Sequence, residues 1–498
     1  MSKVIVIGSG FSGLSTAAYL SAEGYEVLVL EKNGTPGGRG RQLKEKGYIF
    51  DMGPSWYWMP DVFEKFFNDF GHNVSDFYTL KQLSPSFDIV FGRGEVLSVP
   101  STYTELESLF ESIEKGSGSK LKQFMKEAQF KYETGMGSLV YKPGLSWTEF
   151  ADLDLIKGTL RLQVFSSFRK HVRKFFSNPK LIALMEFPVL FLGAMPQDTP
   201  ALYSLMNYAG LKLGTWYPDG GFGKVIEAMM KIGSENGVEF SFSSTVDQII
   251  VKNNKVTGVI VNGEKIDCDA LVASSDYHHT ESKLLPAEYR NYQPDYWDNK
   301  TFAPSCLIFY VGLNQKIKSI NHHTLFFDED LEKHAIEIYK HPQWPDKPLF
   351  YVCCPSRSDH YIAPEGHENL FFLMPLAPGL NDEDGLREKY FKIMLDRLQK
   401  YIGEDISGFI DYKRSYCVKD FISDYNSFKG NAYGLANTLM QTAILKPSLR
   451  NKKLNNLFYT GQLTVPGPGV PPAIISGKVA AGQLHKSLNK QSDEIIVR

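Results

Sequence analysis

The first forty residues constrain the fold more than any other part of the chain. An apolar run, residues 4–7, leads directly into Gly8-Ser9-Gly10-Phe11-Ser12-Gly13, which has the pattern GxGxxG. Small and apolar residues follow at helical spacing, and a second apolar run ends at Glu31, 18 residues after Gly13. A lone GxGxxG is weak evidence. Placed between a strand and a helix, with an acid at the tip of the next strand, it predicts a βαβ unit that binds a dinucleotide.

Each residue of this pattern has a physical role. Gly8 permits a tight turn, Gly10 lets a pyrophosphate approach the backbone, and Gly13 lets helix and strand pack closely. The N-terminus of the helix offers unpaired N–H groups to the phosphates. Glu31 can accept hydrogen bonds from ribose hydroxyls. We therefore predict an adenine dinucleotide, and this stretch alone leaves NAD and FAD equally open.

Length and composition limit the number of lobes and the class of protein that the chain can form. A chain of 498 residues is expected to form two or three lobes, and a net charge of −2 gives no field that favours nucleic acid. The five cysteines include no CxxC pair, which argues against a disulfide framework or a zinc site. The first strand starts at residue 3 and no 18-residue apolar stretch occurs, so neither a leader nor a spanning helix is expected. These features predict a cytoplasmic protein.

Two short glycine segments follow the fingerprint. Gly37-Gly38-Arg39 lets the backbone run close to a ligand, and Arg39 can pair with a phosphate. Gly53-Pro54-Ser55 comes shortly after. Elsewhere such segments are ordinary surface turns. Beside a dinucleotide fingerprint they are predicted to contact the cofactor.

Residues 159–176 form the clearest amphipathic helix in the sequence. Phe165, Phe168, Val172 and Phe175 share one stripe, and basic residues lie beside it. This pattern suits either a helix packed on the core or one lying on an anionic membrane surface. Both readings stay open at this point.

The middle of the chain is predicted to be rich in strands. A β-meander is expected at residues 244–251, 256–261 and 270–274, after a glycine-rich turn and a helix. Residues 305–313, 347–354 and 369–376 are expected to form a second sheet, followed by a helix over 380–402.

The C-terminal block is the second strong signal. A short strand at residues 457–459 leads to Gly461-Gln462, and a Pro/Gly segment then carries Gly469-Val470-Pro471-Pro472 into a helix. Prolines in the first helical turn cost little because the N–H groups there have no helical partner. The N-terminus of this helix suits an electron-rich partner such as a flavin ring, although a simple loop–helix junction would have the same pattern.

Together these motifs resemble the bacterial-type phytoene desaturases, a family of FAD-dependent carotenoid desaturases. The likeness rests on VIVIGSGFSG, GTPGGRG, FDMGPS, YPDGGFGK, GNAYGLANTLMQTA and GQLTVPGPGVPPAIISGK, and it covers nearly the whole chain. The last two blocks are much more specific than the first. Many members have His where this chain has Val465, so an imidazole-based role there is unsupported.

The resemblance implies an α/β amine-oxidase-like flavoprotein fold with three parts. These are a Rossmann-like FAD-binding domain (1–75, 220–285 and 440–498), a mixed-sheet substrate domain (76–105 and 286–439) and a helical lobe (106–219). The implied FAD contacts are Gly8, Ser9, Gly10, Phe11, Ser12, Gly13, Glu31, Lys32, Gly37, Gly38, Arg39, Gly53, Pro54, Ser55, Val246, Ser274, Gly461, Gln462, Gly469, Val470 and Pro471.

Desaturation of a polyene takes a hydride from one allylic carbon and a proton from its neighbour, so it needs a flavin, an apolar tunnel and the exclusion of water. The implied substrate is a long apolar carotenoid, phytoene or a later hydroxylated or monocyclic carotene, reached from the inner face of a membrane. No strong base is obligatory, and no catalytic residue is assigned. The neighbouring pairs His278–His279 and His322–His323 lack i,i+4 spacing, so no metal is expected.

Other activities remain on the same scaffold. A flavin-dependent carotenoid isomerase or saturase would give products of equal or shorter conjugation. A non-enzymatic escort protein would not use a flavin. The sequence fixes neither the electron acceptor nor the oligomeric state.

Overall fold

The computed structural model describes residues 1–146, 149 and 162–496. Its α-helices of five residues or more are α1 (Phe11–Ala22), α2 (Pro60–Asn68), α3 (Tyr103–Ile113), α4 (Ser117–Gly137), α5 (Phe168–Phe175), α6 (Pro179–Glu186), α7 (Phe222–Glu235), α8 (Pro294–Asp298), α9 (Leu331–Tyr339), α10 (Asp384–Ile402), α11 (Val418–Tyr425) and α12 (Val470–Ile496). Its strands are β1 (Lys3–Ile7), β2 (Glu26–Leu30), β3 (Gln42–Glu45), β4 (Tyr48–Asp51), β5 (Leu80–Gln82), β6 (Phe87–Phe91), β7 (Val96–Val99), β8 (Trp216–Pro218), β9 (Glu239–Ser241), β10 (Val246–Lys252), β11 (Lys255–Val261), β12 (Glu264–Asp267), β13 (Ala270–Ala273), β14 (Ser305–Leu313), β15 (His323–Phe327), β16 (Phe350–Cys353), β17 (Glu368–Leu376), β18 (Ile410–Tyr416) and β19 (Leu457–Tyr459).

A parallel five-stranded sheet joins the two ends of the chain. Its order is β19-β13-β1-β2-β9, so strands from three separated stretches lie side by side. The apolar run of β1 is buried because parallel strands are covered on both faces. Helix α1 packs against α12, where Ser15 Oγ donates to the carbonyl of Ile474 at 2.7 Å. This sheet places the glycine fingerprint and the C-terminal block at one edge.

The predicted β-meander is wrong in its last strand. The third strand of the meander is β12, which pairs with β11, whereas β13 pairs in parallel with β1 in the first sheet. All four residues of β13 are buried, as expected of an interior parallel strand. The chain thus leaves the meander at Cys268 and returns to the dinucleotide-type sheet.

The second sheet is mixed and has seven strands in the order β18-β14-β17-β16-β15-β6-β7. β15 runs parallel to β6, and the other neighbours are antiparallel. The strands predicted over 305–313, 347–354 and 369–376 are all present in it. One face packs on α10, where the rings of Phe309 and Phe391 lie 4.7 Å apart.

The helix predicted over 159–176 is shorter than the pattern suggested. Residues 159–161 lie outside the described residues, and the helix α5 begins only at Phe168, where Ser167 caps it. Phe168, Val172 and Phe175 are buried in the core, but Phe165 precedes the helix and is 79 % exposed. The apolar stripe of α5 therefore packs inward. Among the described residues, no helix is both long and apolar enough to cross a membrane.

Candidate functional site

The turn between β1 and α1 is as tight as the fingerprint requires. Gly8 has a φ of +97°, and its N–H donates to the carbonyl of Leu30 at 2.8 Å. A Cβ atom at Gly13 would stand 2.0 Å from the carbonyl oxygen of Gly8. Ser274, just past β13, reaches the same turn, and its hydroxyl lies 2.8 Å from that of Ser12. The structure thus brings these four predicted residues together.

The N-terminus of α1 is open towards the edge of the sheet. Gly10 precedes the helix, no side chain of the described structure caps it, and the first turn carries no acid. A Cβ atom at Gly10 would meet no heavy atom of the described residues within 4 Å beyond its own chain neighbours. The next side chain, Phe11, is buried and meets Phe222 edge-on. Open space beside unpaired helical N–H groups fits a phosphate.

Glu31 is buried, and its carboxylate is already bonded. Oε2 accepts from the N–H and the hydroxyl of Ser9, each at 2.9 Å, and Oε1 accepts from the backbone and side-chain nitrogens of Asn33, also at 2.9 Å. A carboxylate offers about four acceptor positions. A ribose hydroxyl would therefore bind Glu31 by replacing one of these protein donors.

Two further predicted contacts lie near Glu31. The backbone N–H of Ser244 donates to the carbonyl of Glu31 at 2.8 Å, which brings the start of β10, with the buried Val246, to the tip of β2. The ammonium group of Lys32 donates to the carbonyl of Ser423 at 2.7 Å. The start of β10 therefore lies close to the tip of β2, and the Lys32 ammonium is engaged with the end of α11.

The second glycine segment packs directly on the first. Gly37 has a φ of +105°, and its N–H donates to the carbonyl of Ser9 at 2.9 Å. A Cβ atom at Gly38 would lie 3.2 Å from the Cα atom of Gly10. The two turns therefore form one wall of backbone.

Arg39 brings an incompletely paired cation to this wall. Its Nη2 atom donates to the hydroxyl of Ser427 at 3.0 Å and to the carbonyl of Asn431 at 3.3 Å. Its buried Nε atom has no hydrogen-bond partner within the described residues. Burial also lowers the pKa of Arg39, although the charge on Asp276 opposes that shift. A buried guanidinium with a spare donor fits an anionic group such as a diphosphate.

The C-terminal block also contacts the turn between β1 and α1. Gly461 has a φ of +106°, and a Cβ atom there would lie 3.1 Å from Ser12 Oγ. Its N–H donates to the hydroxyl of Ser476 at 3.0 Å, which ties it to α12. Helix α12 begins at Val470, after Gly469 with a φ of +110°. Pro471 and Pro472 occupy its first turn, as expected.

Asn431 links three motifs that are far apart in sequence. Its carbonyl accepts from Arg39, and its side-chain oxygen accepts from Gln462 Nε2 at 3.3 Å and from the N–H of Gly434 at 2.8 Å. The sequence offered Asn431 only as one letter of GNAYGL. Its role becomes visible only where the chain segments meet.

An aromatic wall begins next to the predicted cofactor contacts Gly53, Pro54 and Ser55. A Cβ atom at Gly53 would lie 2.6 Å from the carbonyl oxygen of Arg39. Three residues later the ring of Trp56 stacks on His323, with centroids 4.1 Å apart. The rings around Trp56, at centroid distances of 5.3–5.8 Å, are Trp58, Phe87, Phe187 and Tyr351. Phe87 and Tyr351 belong to the second sheet, and the rings around Trp56 form a dense, buried aromatic cluster beside the cofactor segment.

Asp51 is a site residue that the sequence did not single out. Its carboxylate accepts from the N–H of Phe222 at 2.8 Å and from Gln42 Nε2 at 2.9 Å. A Cβ atom at Gly221 would lie 2.5 Å from it, so the glycines of YPDGGFGK serve close packing on FDMGPS. Burial raises the pKa of Asp51 to about 6. The pairing of these two motifs could not be read from either one alone.

Asp420 and Asp424 are acidic residues of helix α11 that already have protein partners. Asp424 forms an ion pair with Arg41 and accepts from the Tyr416 hydroxyl at 2.7 Å. Asp420 pairs with Arg387 at 2.8 Å. Both carboxylates have structural partners, and we assign neither to proton transfer.

The fold and the site define a dinucleotide-dependent flavoprotein. The family model for flavin-containing amine oxidoreductases matches residues 11–485, and the chain belongs to that family. Its cofactor is FAD, so the choice that the N-terminal fingerprint left open is settled. The open N-terminus of α1 and the unpaired Nε donor of Arg39 fit the diphosphate of that cofactor.

The comparisons also bear out the family resemblance. The chain is 40 % identical over 486 residues to the carotenoid 3,4-desaturase of Haloarcula japonica, covering 97 % of this chain and 98 % of the relative. It is 29 % identical to the 4,4'-diapophytoene desaturase of Staphylococcus haemolyticus, over 96 % and 97 % of the two chains. The structure of cyclohexylamine oxidase from Brevibacterium oxydans superposes with a TM-score of 0.59 at 14 % identity, covering 98 % of this chain and 99 % of the other. The predicted amine-oxidase-like α/β fold is therefore confirmed.

Proposed function

We propose that this protein is an FAD-dependent carotenoid desaturase that introduces C–C double bonds into a long polyene. The observation that carries this is the full-length likeness to a carotenoid 3,4-desaturase, joined to the aromatic wall beside Gly53. The substrate class includes phytoene and later hydroxylated or monocyclic carotenes.

We assign the ends of FAD to the two sides of the site. The adenosine diphosphate half is held by Gly8, Ser9, Gly10, Phe11, Ser12, Gly13, Glu31, Lys32, Gly37, Gly38, Arg39, Val246 and Ser274. The ring half is held by Gly53, Pro54, Ser55, Gly461, Gln462, Gly469, Val470 and Pro471. The open helix N-terminus at Gly10 and the spare Arg39 donor support the first set, and the meeting of Gly461 with Ser12 supports the second.

The bound flavin supplies a hydride acceptor. The chain itself orients the substrate and excludes water from it. Trp56 and its neighbouring rings form an apolar cluster, and we propose that the extended polyene lies along it, because aromatic side chains bury large areas without needing polar partners. Water kept away from the reacting carbons cannot quench developing positive charge.

We also propose that the protein takes its substrate from the inner face of a membrane, through an apolar patch. The patch comprises Leu145, Phe165, Leu439 and Met440, whose exposed fractions are 41 %, 79 %, 36 % and 70 %. Their segments converge. The hydroxyls of Tyr203 and Thr442 are hydrogen-bonded at 3.1 Å, and the N–H of Ala201 donates to the carbonyl of Ser166 at 2.7 Å. Exposed apolar clusters on this scale are typical of membrane or partner contacts.

The proposed domain boundaries follow the two sheets. We infer that 1–75, 220–285 and 440–498 form the FAD-binding domain, that 76–105 and 286–439 form the substrate domain, and that 106–219 form a helical lobe. The parallel sheet draws β1, β13 and β19 from all three stretches of the first part, which supports this division.

Product analysis tests the proposal. The FAD-loaded protein is incubated with liposomes that carry phytoene or partly desaturated, hydroxylated or cyclised carotenoids, with oxygen and a quinone both supplied. We expect the absorption of at least one substrate to move to longer wavelength. Products of equal or shorter conjugation would identify an isomerase or saturase instead. A colourless protein that binds no flavin would support the escort reading.

A further inference from the structure

A buried histidine–cysteine cluster lies on the second sheet, outside the FAD contacts. His323 at the start of β15 is in register with Cys353 at the end of β16, and His322 precedes His323. One ligand atom from each of the three side chains lies within 4.8 Å of the others. All three residues are nine-tenths or more buried, with exposures of 4 %, 0 % and 2 %. Strand pairing has thus created a three-donor set that spacing in the sequence did not reveal.

Both imidazoles have one nitrogen fixed and the other free. The Nδ1 atom of His322 lies 2.9 Å from the hydroxyl of Ser358, and that of His323 lies 2.6 Å from the hydroxyl of Tyr351. The Nε2 atoms of both are buried, and neither has a hydrogen-bond partner in the part of the chain that is described. A buried ring nitrogen is normally paired, so two adjacent orphans need an explanation.

The hydrogen-bond partners of His323 leave its Nε2 atom available to a metal. The Tyr351 hydroxyl donates to Ser55 Oγ at 3.1 Å, so its oxygen is left to accept the Nδ1 proton of His323. The Nε2 atom of His323 then carries a lone pair. Metal-binding histidines typically have their second nitrogen held in this way.

We propose that His322, His323 and Cys353 bind one thiophilic d¹⁰ cation of the zinc class. Two imidazole nitrogens and one sulfur form a donor set that zinc favours, at about 2.0–2.1 Å for nitrogen and about 2.3 Å for sulfur. Such bonds place ligand atoms about 3.5 Å apart, so the side chains close in by about 1 Å. The Cys353 thiol gives its proton to solvent as the sulfur–metal bond forms.

A small cavity borders two of the three donors. His322, Cys353, Ser55 and Tyr217 line it, together with the ring of Phe371. A water molecule or another oxygen ligand can reach the ion there. Because Trp56 stacks on His323, the ion fixes the ring against which the aromatic wall is built. The site therefore has a positioning role towards the substrate surface.

Metal content of the full-length, FAD-loaded protein tests this. Protein from zinc-supplemented medium is dialysed against a weak chelator, and zinc and flavin per chain are measured. We expect about one zinc per chain in the wild type and at least a tenfold loss in Cys353→Ser and His322→Gln. Cys354→Ser is the matched control, because Cys354 is an equally buried neighbour bonded to Ser356 and Glu368. Equal flavin content and circular dichroism show that a variant is folded.

X-ray absorption at the zinc edge gives an answer even if the variants fail to fold. We expect one sulfur and two imidazole nitrogens around the ion in the wild type. A first shell without sulfur would overturn the proposal. So would a wild-type protein that keeps no zinc after dialysis, or zinc retained equally by Cys353→Ser. None of these measurements depends on desaturase activity.

Discussion

A Cβ atom on Gly13 would stand 2.0 Å from the carbonyl oxygen of Gly8, whereas one on Gly10 would meet open space. Glycines three residues apart in one motif therefore serve different purposes. Gly13 lets α1 approach β1, which is a matter of folding. Gly10 leaves room beside the helix N-terminus, which is a matter of binding.

Gly13→Ala is therefore expected to destabilise the apoprotein. The added methyl forces the turn away from α1, and the unfolding free energy should fall by about 1–3 kcal/mol, as for other overpacked buried sites. Urea unfolding of the apoprotein measures this. An unchanged midpoint would mean that the turn has more freedom than its contacts suggest.

Gly10→Ala is expected to act on the cofactor alone. Gly10 has a φ of −69°, which alanine adopts without strain, so apoprotein stability should change by less than about 1 kcal/mol. The methyl would occupy space needed by the diphosphate, and FAD affinity should fall about tenfold or more. Flavin fluorescence titration of both glycine variants separates the two roles. Equal FAD affinity in Gly10→Ala and wild type would remove Gly10 from the binding site.

Arg39→Lys tests the spare donor of the guanidinium. Lysine keeps the positive charge but loses the planar fork, so FAD should bind about tenfold more weakly, or about 1.4 kcal/mol. Arg41→Lys is the matched control, because Arg41 is two residues away and pairs with Asp424. Titration of the apoproteins with FAD compares them. Equal weakening in both would contradict a specific role for Arg39 in binding the cofactor.

Lys446 gives the protein a distinctive pH dependence. Its ammonium group is buried and donates to Asn437 Oδ1 at 2.8 Å, and burial lowers its pKa from 10.5 to about 7. Between these two values the unfolded chain holds a proton that the folded chain lacks. Stability should therefore rise with pH across that window, by up to about 1.4 kcal/mol per unit, and this contribution should be flat below pH 7.

The variant Lys446→Met isolates this contribution. Other titrating groups cancel when the wild type and the variant are compared at each pH, so the unfolding free energy of the wild type minus that of Lys446→Met should increase as pH rises from about 7 to 10.5. Lys340→Met, at an exposed position, should show no such trend. Urea unfolding at several pH values supplies the data. A constant difference between wild type and Lys446→Met would place the Lys446 pKa near its ordinary value.

The parts of the fold that the sequence predicts are those whose side chains carry a period or a special backbone need. The turns at Gly8, Gly13 and Gly37 can be predicted from the sequence, because only glycine suits the contacts or φ values there. The strand β14 is a nine-residue apolar run and is found where expected. Local chemistry is sufficient in these cases.

The errors arise where partners are distant. β12, Glu264–Asp267, is polar and largely exposed, so it has no apolar alternation to reveal it, and β13 was placed in the meander in its stead. His323 and Cys353 meet only because β15 pairs with β16 in that register. Asn431 likewise gains its role from Arg39 and Gln462, which no spacing rule connects. Tertiary pairing decides these features.

The apolar patch yields the last prediction. Phe165 and Met440 are exposed by 79 % and 70 %, and moving them from water into the lipid interface should be worth about 1.5–3 kcal/mol each. Phe165→Ser/Met440→Ser should therefore reduce binding to lipid vesicles by tenfold or more, measured by flotation. Turnover of vesicle-embedded carotenoid should fall with it, while turnover of detergent-solubilised carotenoid should stay the same.

The control for this experiment uses equally apolar side chains elsewhere. Tyr361 is 90 % exposed and Phe409 is 38 % exposed, and both lie outside the patch. Tyr361→Ser/Phe409→Ser should bind vesicles as the wild type does, with the same flavin content. If both double variants lose vesicle binding equally, general surface hydrophobicity explains the association. If neither does, the patch has no part in membrane contact, since burying two such side chains must leave a measurable free-energy difference.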